Sequence, residues 1–301
     1  MKDIVEADVP RVEKLLLDVL DIPAYQAIKR LGGLTNRTYK VDVCPGKTYV
    51  VRIPGEGTEN LINRKNEQKS TKLACEVGVD APLLYFGPNG EKISSYIEGA
   101  RTMVAGLFRD ERILCKAAQV FRAVHTSGVD TNVPFVFVNM VSNYEKIIRE
   151  HSVDLFDEYE KVKTQIFEIK NYVDRFASVE LVPCHNDPLC ENWILDRDNN
   201  LYLIDWEYAG MNDAMWDLAD LSIEAVFSHE QEQSLLCYYY GRKPQEEESI
   251  RFHANKLYLD FLWALWAKTR VPFDGNDIDQ YGVNRYMRLQ KNLHKFVSEF
   301  L

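Results

Sequence analysis

Paired cysteines, long apolar runs, internal repeats and an excess of basic charge are all missing from this 301-residue chain, and each absence removes a class of protein. The six cysteines, at 44, 75, 115, 184, 190 and 237, include no C-x-x-C pair, so neither a disulfide scaffold nor a zinc ribbon is expected. Cys184 and Cys190 flank His185 but lack the tight paired spacing of a structural zinc site; they read as small buried hydrophobes. No stretch approaches the roughly 18 unbroken apolar residues of a membrane span, and the opening MKDIVEADVP lacks the apolar core of a signal peptide. A cytoplasmic protein with no membrane partner is the expectation. Lysine and arginine total 36 against 46 aspartates and glutamates, a net charge of -10, which removes the basic face that tracks phosphates and so argues against a nucleic-acid partner.

What is present divides near residue 97. In the first third, LGGLTNRTYKVDVCPGKTYVVRI alternates Tyr39, Val41 and Val43 at period two, turns at Pro45-Gly46 and resumes as a second strand. NLINRKNEQKSTKLACEVG then reads as a helix stopped by Gly78, and LLYFGPNGEKISSYI as strand, turn and strand. Beyond residue 100 the chain is mainly helical, as in DERILCKAAQVFRAVHTSG and DLFDEYEKVKTQIFEIKNYVDRFA, with a short strand LYLIDW embedded. A strand-rich lobe over 1–97 followed by a helix-rich lobe over 98–301 is an α+β pattern.

Chemistry concentrates in CHNDPLCENWILDRDNNLYLIDWEYAG. His185-x-Asp187-x-x-x-x-Asn192 has the spacing of a kinase catalytic loop, and Asp205 follows Asn192 by thirteen residues, where a metal-binding aspartate belongs. Phosphoryl transfer needs one carboxylate beside the attacking hydroxyl and separate oxygen ligands for the ion that bridges the phosphates, because triphosphate charge must be neutralised while the nucleophile is aligned. Asp187 suits the first task, Asn192 and Asp205 the second. A capped turn accounts for Asp196 to Asn200 but not for the paired spacing. Upstream, Gly32 and Gly33 permit close backbone approach to phosphates, with Thr35 and Asn36 as donors. Arg52 ends the following strand, where a protein kinase has its phosphate-pairing lysine, and Glu67 on the next helix is placed to hold it.

With these residues in this order, the chain resembles the choline/ethanolamine kinase and aminoglycoside phosphotransferase superfamily, and HNDPLCENWILD…LYLIDWEYAGMNDAMWDLADL is similar to bacterial LicA-type choline kinases. The resemblance spans GGLTNRTYKV through FLWALW; A-P-E and a full G-x-G-x-x-G, the marks of a protein kinase, are absent. It implies a protein-kinase-like two-lobed fold, ATP and Mg2+ as cofactors, Asp187 as catalytic base with His185 in its loop, and Asn192 and Asp205 as magnesium ligands. It also implies Ser95, Tyr96 and Ile97 as the hinge against adenine and an arginine, as found, at position 52. Glu207 either orients metal-bound water or faces the acceptor.

A quaternary ammonium donates no hydrogen bonds, so its recognition needs aromatic faces with carboxylates at a distance. Trp263 and Trp266 are three apart and share one side of a helix, and Tyr281 follows after a short loop. On residues alone an apolar helix of this kind reads as core; the resemblance assigns the pair and the tyrosine to a choline cage. Asp213, Asp217, Asp220 and Glu224 recur on one broad helical face, with Trp216 and Asp217 nearest the acceptor side. The implied activity is phosphorylation of choline, a small-molecule partner, by ATP. Ethanolamine and thiamine are alternative acceptors; an aminoglycoside, with several amines to satisfy, fits the tryptophan pair poorly. A kinase-shaped binding module without turnover is the reading from another class, opposed by the complete set of Asp187, Asn192 and Asp205.

Overall fold

A computed structural model describes residues 5–32, 36–55, 57–58, 61–177 and 179–300. In chain order the elements are α1 (Val9–Leu20), β1 (Ala27–Gly32), β2 (Asn36–Cys44), β3 (Lys47–Pro54), α2 (Arg64–Val77), β4 (Leu83–Phe86), β5 (Lys92–Ser95) and β6 (Arg101–Thr102). Then follow α3 (Glu111–His125), α4 (Phe137–Glu150), α5 (Tyr159–Phe176), β7 (Leu181–Cys184), β8 (Trp193–Leu195), β9 (Leu201–Leu203) and β10 (Gly210–Asp213). The chain ends in α6 (Ala214–Glu224), α7 (His229–Tyr240), α8 (Glu246–Asp274) and α9 (Asn276–Phe300). None of the described helices is long and apolar enough to cross a membrane.

Two compact units result: Met1–Met103 with Glu191–Tyr208, and Val104–Cys190 with Ala209–Leu301. A single cut at residue 97 therefore misses an excursion. The two-residue strand β6 pairs with β8, which pairs with β9, so this small sheet draws residues 98–103 and 191–208 into the first unit.

The first unit is built on a five-stranded antiparallel sheet ordered β1-β2-β3-β5-β4. The period-two alternation of β2 buries Tyr39 and Val41, which meet Val51, Ile53 and Ile93 of the sheet and Val12 and Leu16 of α1. The β2–β3 turn is closed by Gly46 at φ 79°, a left-handed conformation that costs glycine nothing. Buried Asp8 anchors the start of α1 by accepting from Tyr39 Oη at 2.6 Å and from Arg37 at 2.5 and 2.9 Å. Helix α2 begins later than its apolar residues suggest, because Asn63 caps it by accepting from the amides of Lys65 and Asn66; Gly78 at φ 81° ends it as expected.

In the second unit α8 is the central element, packed by α4, α5, α6 and α9. It is buried without interruption from Leu257 to Arg270, so it lacks the one-sided polarity of a surface helix. Near its start, His253 lies across Phe300 of α9 with ring centroids 5.3 Å apart. Burial pushes the His253 imidazole down to about 4, with Glu232 opposing and Lys256 assisting. The unfolded chain takes up this proton near pH 6.5 while the folded chain refuses it until about 4, so the stability that His253 contributes is complete above 6.5 and is lost as pH falls through that window. Replacing His253 with Phe should flatten the acid limb by about 2 kcal/mol between these pH values, read by urea unfolding across a pH series. Parallel curves for variant and parent would exclude His253 as the source.

Candidate active site

In the first unit the charged residues converge at one end of the sheet. Arg52 is paired across β3 with Thr38 and Lys92, and the cap at Asn63 fixes Glu67 in the first turn of α2. Arg52 and Glu67, both buried, form a close ion pair. A second Arg52 nitrogen lies 3.0 Å from Asp205, and its guanidinium also donates to Gly90 O at 2.9 Å. Burial would lower the Arg52 pKa, but Glu67, Asp205 and Glu207 outweigh it and hold the guanidinium above its usual range. Arg64, one turn ahead of Glu67, bonds Glu67 at 2.8 Å and Glu207 at 3.4 Å, and Asn36 donates to Glu207 at 2.8 Å.

The β8–β9 hairpin explains the thirteen-residue spacing. Asn192 directly precedes β8 and Asp205 stands two residues past the end of β9, so both stand at the open end of the hairpin, where Ile204 N–H donates to Asn192 O at 2.9 Å. Asp205 has φ 71°, a left-handed conformation rarely adopted outside glycine, asparagine and aspartate. Glu67, Asp205 and Glu207 each bring a carboxylate oxygen within 4.8 Å of the others. Burial, Asp205 and Glu67 together push Glu207 up to about 7. This surplus of negative charge, with the amide oxygen type of Asn192 beside it in the hairpin, fits a hard divalent cation.

Ser95 closes β5, and its N–H is bonded to Pro82 O at 3.0 Å, while Tyr96 N–H reaches Thr48 O at 3.2 Å. Ser95, Tyr96 and Ile97 line a cavity of about 300 Å3 together with Pro82, Arg197 and Tyr202. Gly32 ends β1, and a Cβ placed there would meet no atom within 4 Å, so nothing in the protein itself requires glycine. Gly33 and Thr35 lie outside the described residues.

The second unit holds the HxD loop, which leaves β7 at Cys184. His185 is fully buried, and its Nδ1 accepts from Asp187 N–H at 3.2 Å, so it shapes the turn around Asp187. Asn186, at φ 68°, is held on three sides: its N–H donates to Asp217 at 2.7 Å, its C=O accepts from Trp216 Nε1 at 3.0 Å, and its Oδ1 accepts from Asn212 at 2.8 Å.

Trp216 and Asp217, expected on the acceptor side, therefore lie underneath the loop. Both are 1% exposed, Trp216 packs edge-on against Phe135 at 4.9 Å, and Asp217 takes the amides of His185 and Asn186. The acidic stripe also dissolves into separate duties. Asp213 caps α6 and pairs with Arg251, Asp217 binds the loop, Glu224 pairs with Arg285, and Asp220 is a buried acid raised well above the usual range by burial and by Glu224.

The aromatic residues do assemble. Trp263 and Trp266 meet at 6.2 Å and 88°, and Trp266 meets Tyr281 at 6.5 Å and 82°, so Trp266 stands steeply to both of its neighbours. Tyr281 Oη accepts from Arg285 Nε at 2.6 Å, and Arg285 also bonds Asp260 at 3.2 Å. Burial raises the Tyr281 hydroxyl pKa, and Glu224 and Asp187 add to the rise while Arg285 opposes it. His125, Asn212, Tyr239 and Arg285 took no part in the sequence reading. His125 alone carried a signal, a polar residue on the buried face of α3 one turn beyond Phe121.

Comparison with known proteins follows the same line. The sequence profile described as choline/ethanolamine kinase matches residues 28–262. Protein LicA of Haemophilus influenzae is 28% identical, covering 85% of this chain and 76% of its own. The solved choline/ethanolamine kinase family protein from Mesorhizobium loti is 31% identical with TM-score 0.82, covering 94% of each chain. Choline kinase LicA from Streptococcus pneumoniae is 30% identical with TM-score 0.81, covering 95% of this chain and 99% of its own. The fold is protein-kinase-like and α+β.

The buried charge cluster yields a prediction about stability. Arg52→Met leaves Glu67 and Asp205 without their shared cation, and unfolding free energy should fall by about 3 kcal/mol in urea titrations. An unchanged midpoint would mean that Arg64 alone suffices.

Proposed function

Because the chain belongs to the choline/ethanolamine kinase family, it is a phosphotransferase with an alcohol acceptor, and we propose that it moves the terminal phosphoryl group of ATP to the hydroxyl of choline. The observation that carries the acceptor is the two steep ring contacts that join Trp263, Trp266 and Tyr281. Ring faces attract a quaternary ammonium without hydrogen bonds. Ethanolamine's primary ammonium needs acceptors as well, and the nearby carboxylates Glu224 and Asp260 are engaged by Arg285. This favours the methylated amine.

Asp187 takes the hydroxyl proton as the oxygen attacks phosphorus, and His185 positions it through the Asp187 amide. Arg52, kept charged and aimed by Glu67, meets the phosphate oxygens. Asn192 and Asp205 would hold magnesium, which would supply the positive charge that neutralises the triphosphate. Glu207 supports that site and is itself fixed by Asn36 and Arg64. Open space at Gly32 lets backbone approach the phosphates. With the Ser95 and Tyr96 amides already bonded, the N–H of Ile97 is the hinge donor for adenine.

ADP release should be measured with magnesium-ATP and choline, ethanolamine, thiamine or an aminoglycoside, offered separately. Choline should exceed ethanolamine in kcat/KM by about tenfold or more, the worth of roughly 1.4 kcal/mol of cation–ring attraction. Silence with all four acceptors would overturn the assignment, and preference for another would overturn the cage. Asp187→Asn should lower kcat by about a thousandfold with nucleotide affinity retained. Trp266→Ala should raise the KM for choline about tenfold and leave that for ATP within about twofold; an unchanged choline KM would remove Trp266 from the cage.

A further inference from the structure

The rings proposed for the acceptor stand on two helices, Trp263 and Trp266 on α8 and Tyr281 on α9, and a glycine lies where these helices touch. Gly282 is buried inside α9, where a helix favours alanine over glycine, so a packing reason is expected for it. A Cβ on Gly282 would lie 2.9 Å from Ala267 Cβ, 3.2 Å from Ala264 O and 3.5 Å from a ring carbon of Phe156. The two nearest atoms cannot turn aside, since one is a methyl fixed to the α8 backbone and the other is backbone itself. Phe156 is held as well, stacked on Tyr286 of α9 at 4.3 Å and 11°, with the Lys268 ammonium 4.7 Å from its centroid.

The residues in contact are the chain neighbours of the rings. Ala264 follows Trp263, Ala267 follows Trp266, and Gly282 follows Tyr281. Gly275 alone joins the two helices, at φ 76° and ψ -152°, a conformation essentially confined to glycine, which leaves α9 little freedom to slide along α8. Past the contact, Arg285 bonds Tyr281 Oη at 2.6 Å and Asp260 of α8 at 3.2 Å, so the tyrosine is tied to α8 from its far end too.

We propose that Gly282 determines acceptor specificity: by letting α9 sit against Ala264 and Ala267, it sets the gap between Tyr281 and Trp266 and hence the size of alkylammonium head that the rings admit. The proposal rests on those rings being the acceptor cage. Carbon atoms pack at about 3.5–4.0 Å, so a methyl group on Gly282 must drive α9 off α8 by more than about half an ångström, and Tyr281 moves with it.

Steady-state kinetics of Gly282→Ala, Ala267→Gly and the double variant should be measured with choline and with its triethyl homologue, alongside near-UV circular dichroism. Gly282→Ala should raise the KM for choline about tenfold with the KM for ATP within about twofold, because the displaced helix carries a ring of the cage and none of the proposed nucleotide residues. Its preference for choline over the triethyl homologue, as a ratio of kcat/KM values, should fall about fivefold, since a wider gap admits the larger head. Ala267→Gly alone should leave the choline KM within about twofold of the parent's. The double variant loses the 2.9 Å contact and keeps the one with Ala264 O, so its choline KM should lie about threefold above the parent's. The tryptophan bands of the near-UV spectrum, assigned by their change in Trp266→Phe, should shift in Gly282→Ala and move back toward the parent's in the double variant.

A parental choline KM and homologue preference in Gly282→Ala, an ATP KM that rises in step with that for choline, or a double variant no better than Gly282→Ala would each overturn the proposal. If Gly282→Ala does not fold, the double variant is judged against the parent, and parental kinetics there would overturn it. Should the parent leave choline untouched, the cage reading fails, whereas the ring spacing is still judged on the near-UV bands, so the two failures are distinguishable.

Discussion

The carboxylate of Asp217 sits with 1% of its surface exposed and takes hydrogen bonds from His125, His185 and Asn186. A buried carboxylate this far from water costs several kcal/mol unless its lone pairs are filled, and filled lone pairs in a low-dielectric interior are strong and directional. The arrangement therefore works in both directions. The loop amides satisfy the acid, and the acid fixes two consecutive peptides in a backbone shape that an unconstrained chain avoids. Trp216 and Asn212 complete the hold by taking the carbonyl and side chain of Asn186.

The first unit meets a similar problem with charge instead of neutral donors. Arg52 stands among Glu67, Asp205 and Glu207, and Arg64 spans Glu67 and Glu207. Two cations against three acids leave the cluster short of positive charge, and burial together with Asp205 and Glu67 raises Glu207 to about 7. A site of this kind accepts a divalent ion on electrostatic grounds. The difference between the units suits the roles proposed for them, since phosphates are answered by charge and a proton acceptor by fixed direction.

Much of this was legible in the chain because the relevant spacings are local. Asn192 and Asp205 flank a single hairpin, so a thirteen-residue interval is already a geometric statement. Arg52 and Glu67 could be paired in advance because strand, turn and helix each carry their own signals, the last sharpened by the cap at Asn63. The duties of Asp213, Asp217, Asp220 and Glu224 were not legible. Helical periodicity put them on one face, but partners more than twenty residues away decide what each does: Arg251 for Asp213, His185 and His125 for Asp217, Arg285 for Glu224. Trp216 was misjudged for the same reason, as aromatic character is shared by cages and by cores, and its indole N–H and ring are taken up by Asn186 O and Phe135. The domain cut missed 191–208 because a two-residue strand, β6, leaves almost no periodic trace.

Tyr281, the third ring beside Trp266, is tied to Arg285, whose charge is answered by Glu224 and Asp260, and Asp260 is shared with Arg288. Two arginines against two carboxylates leave this flank close to electroneutral. An open acidic pocket would also concentrate free magnesium, potassium and polyamines, all abundant competitors in any cell. A balanced flank gives such hydrated ions little to hold, so an acceptor bound among these rings, as proposed, would be selected by the cost of stripping water, which is low for a methylated ammonium and prohibitive for a bare metal ion.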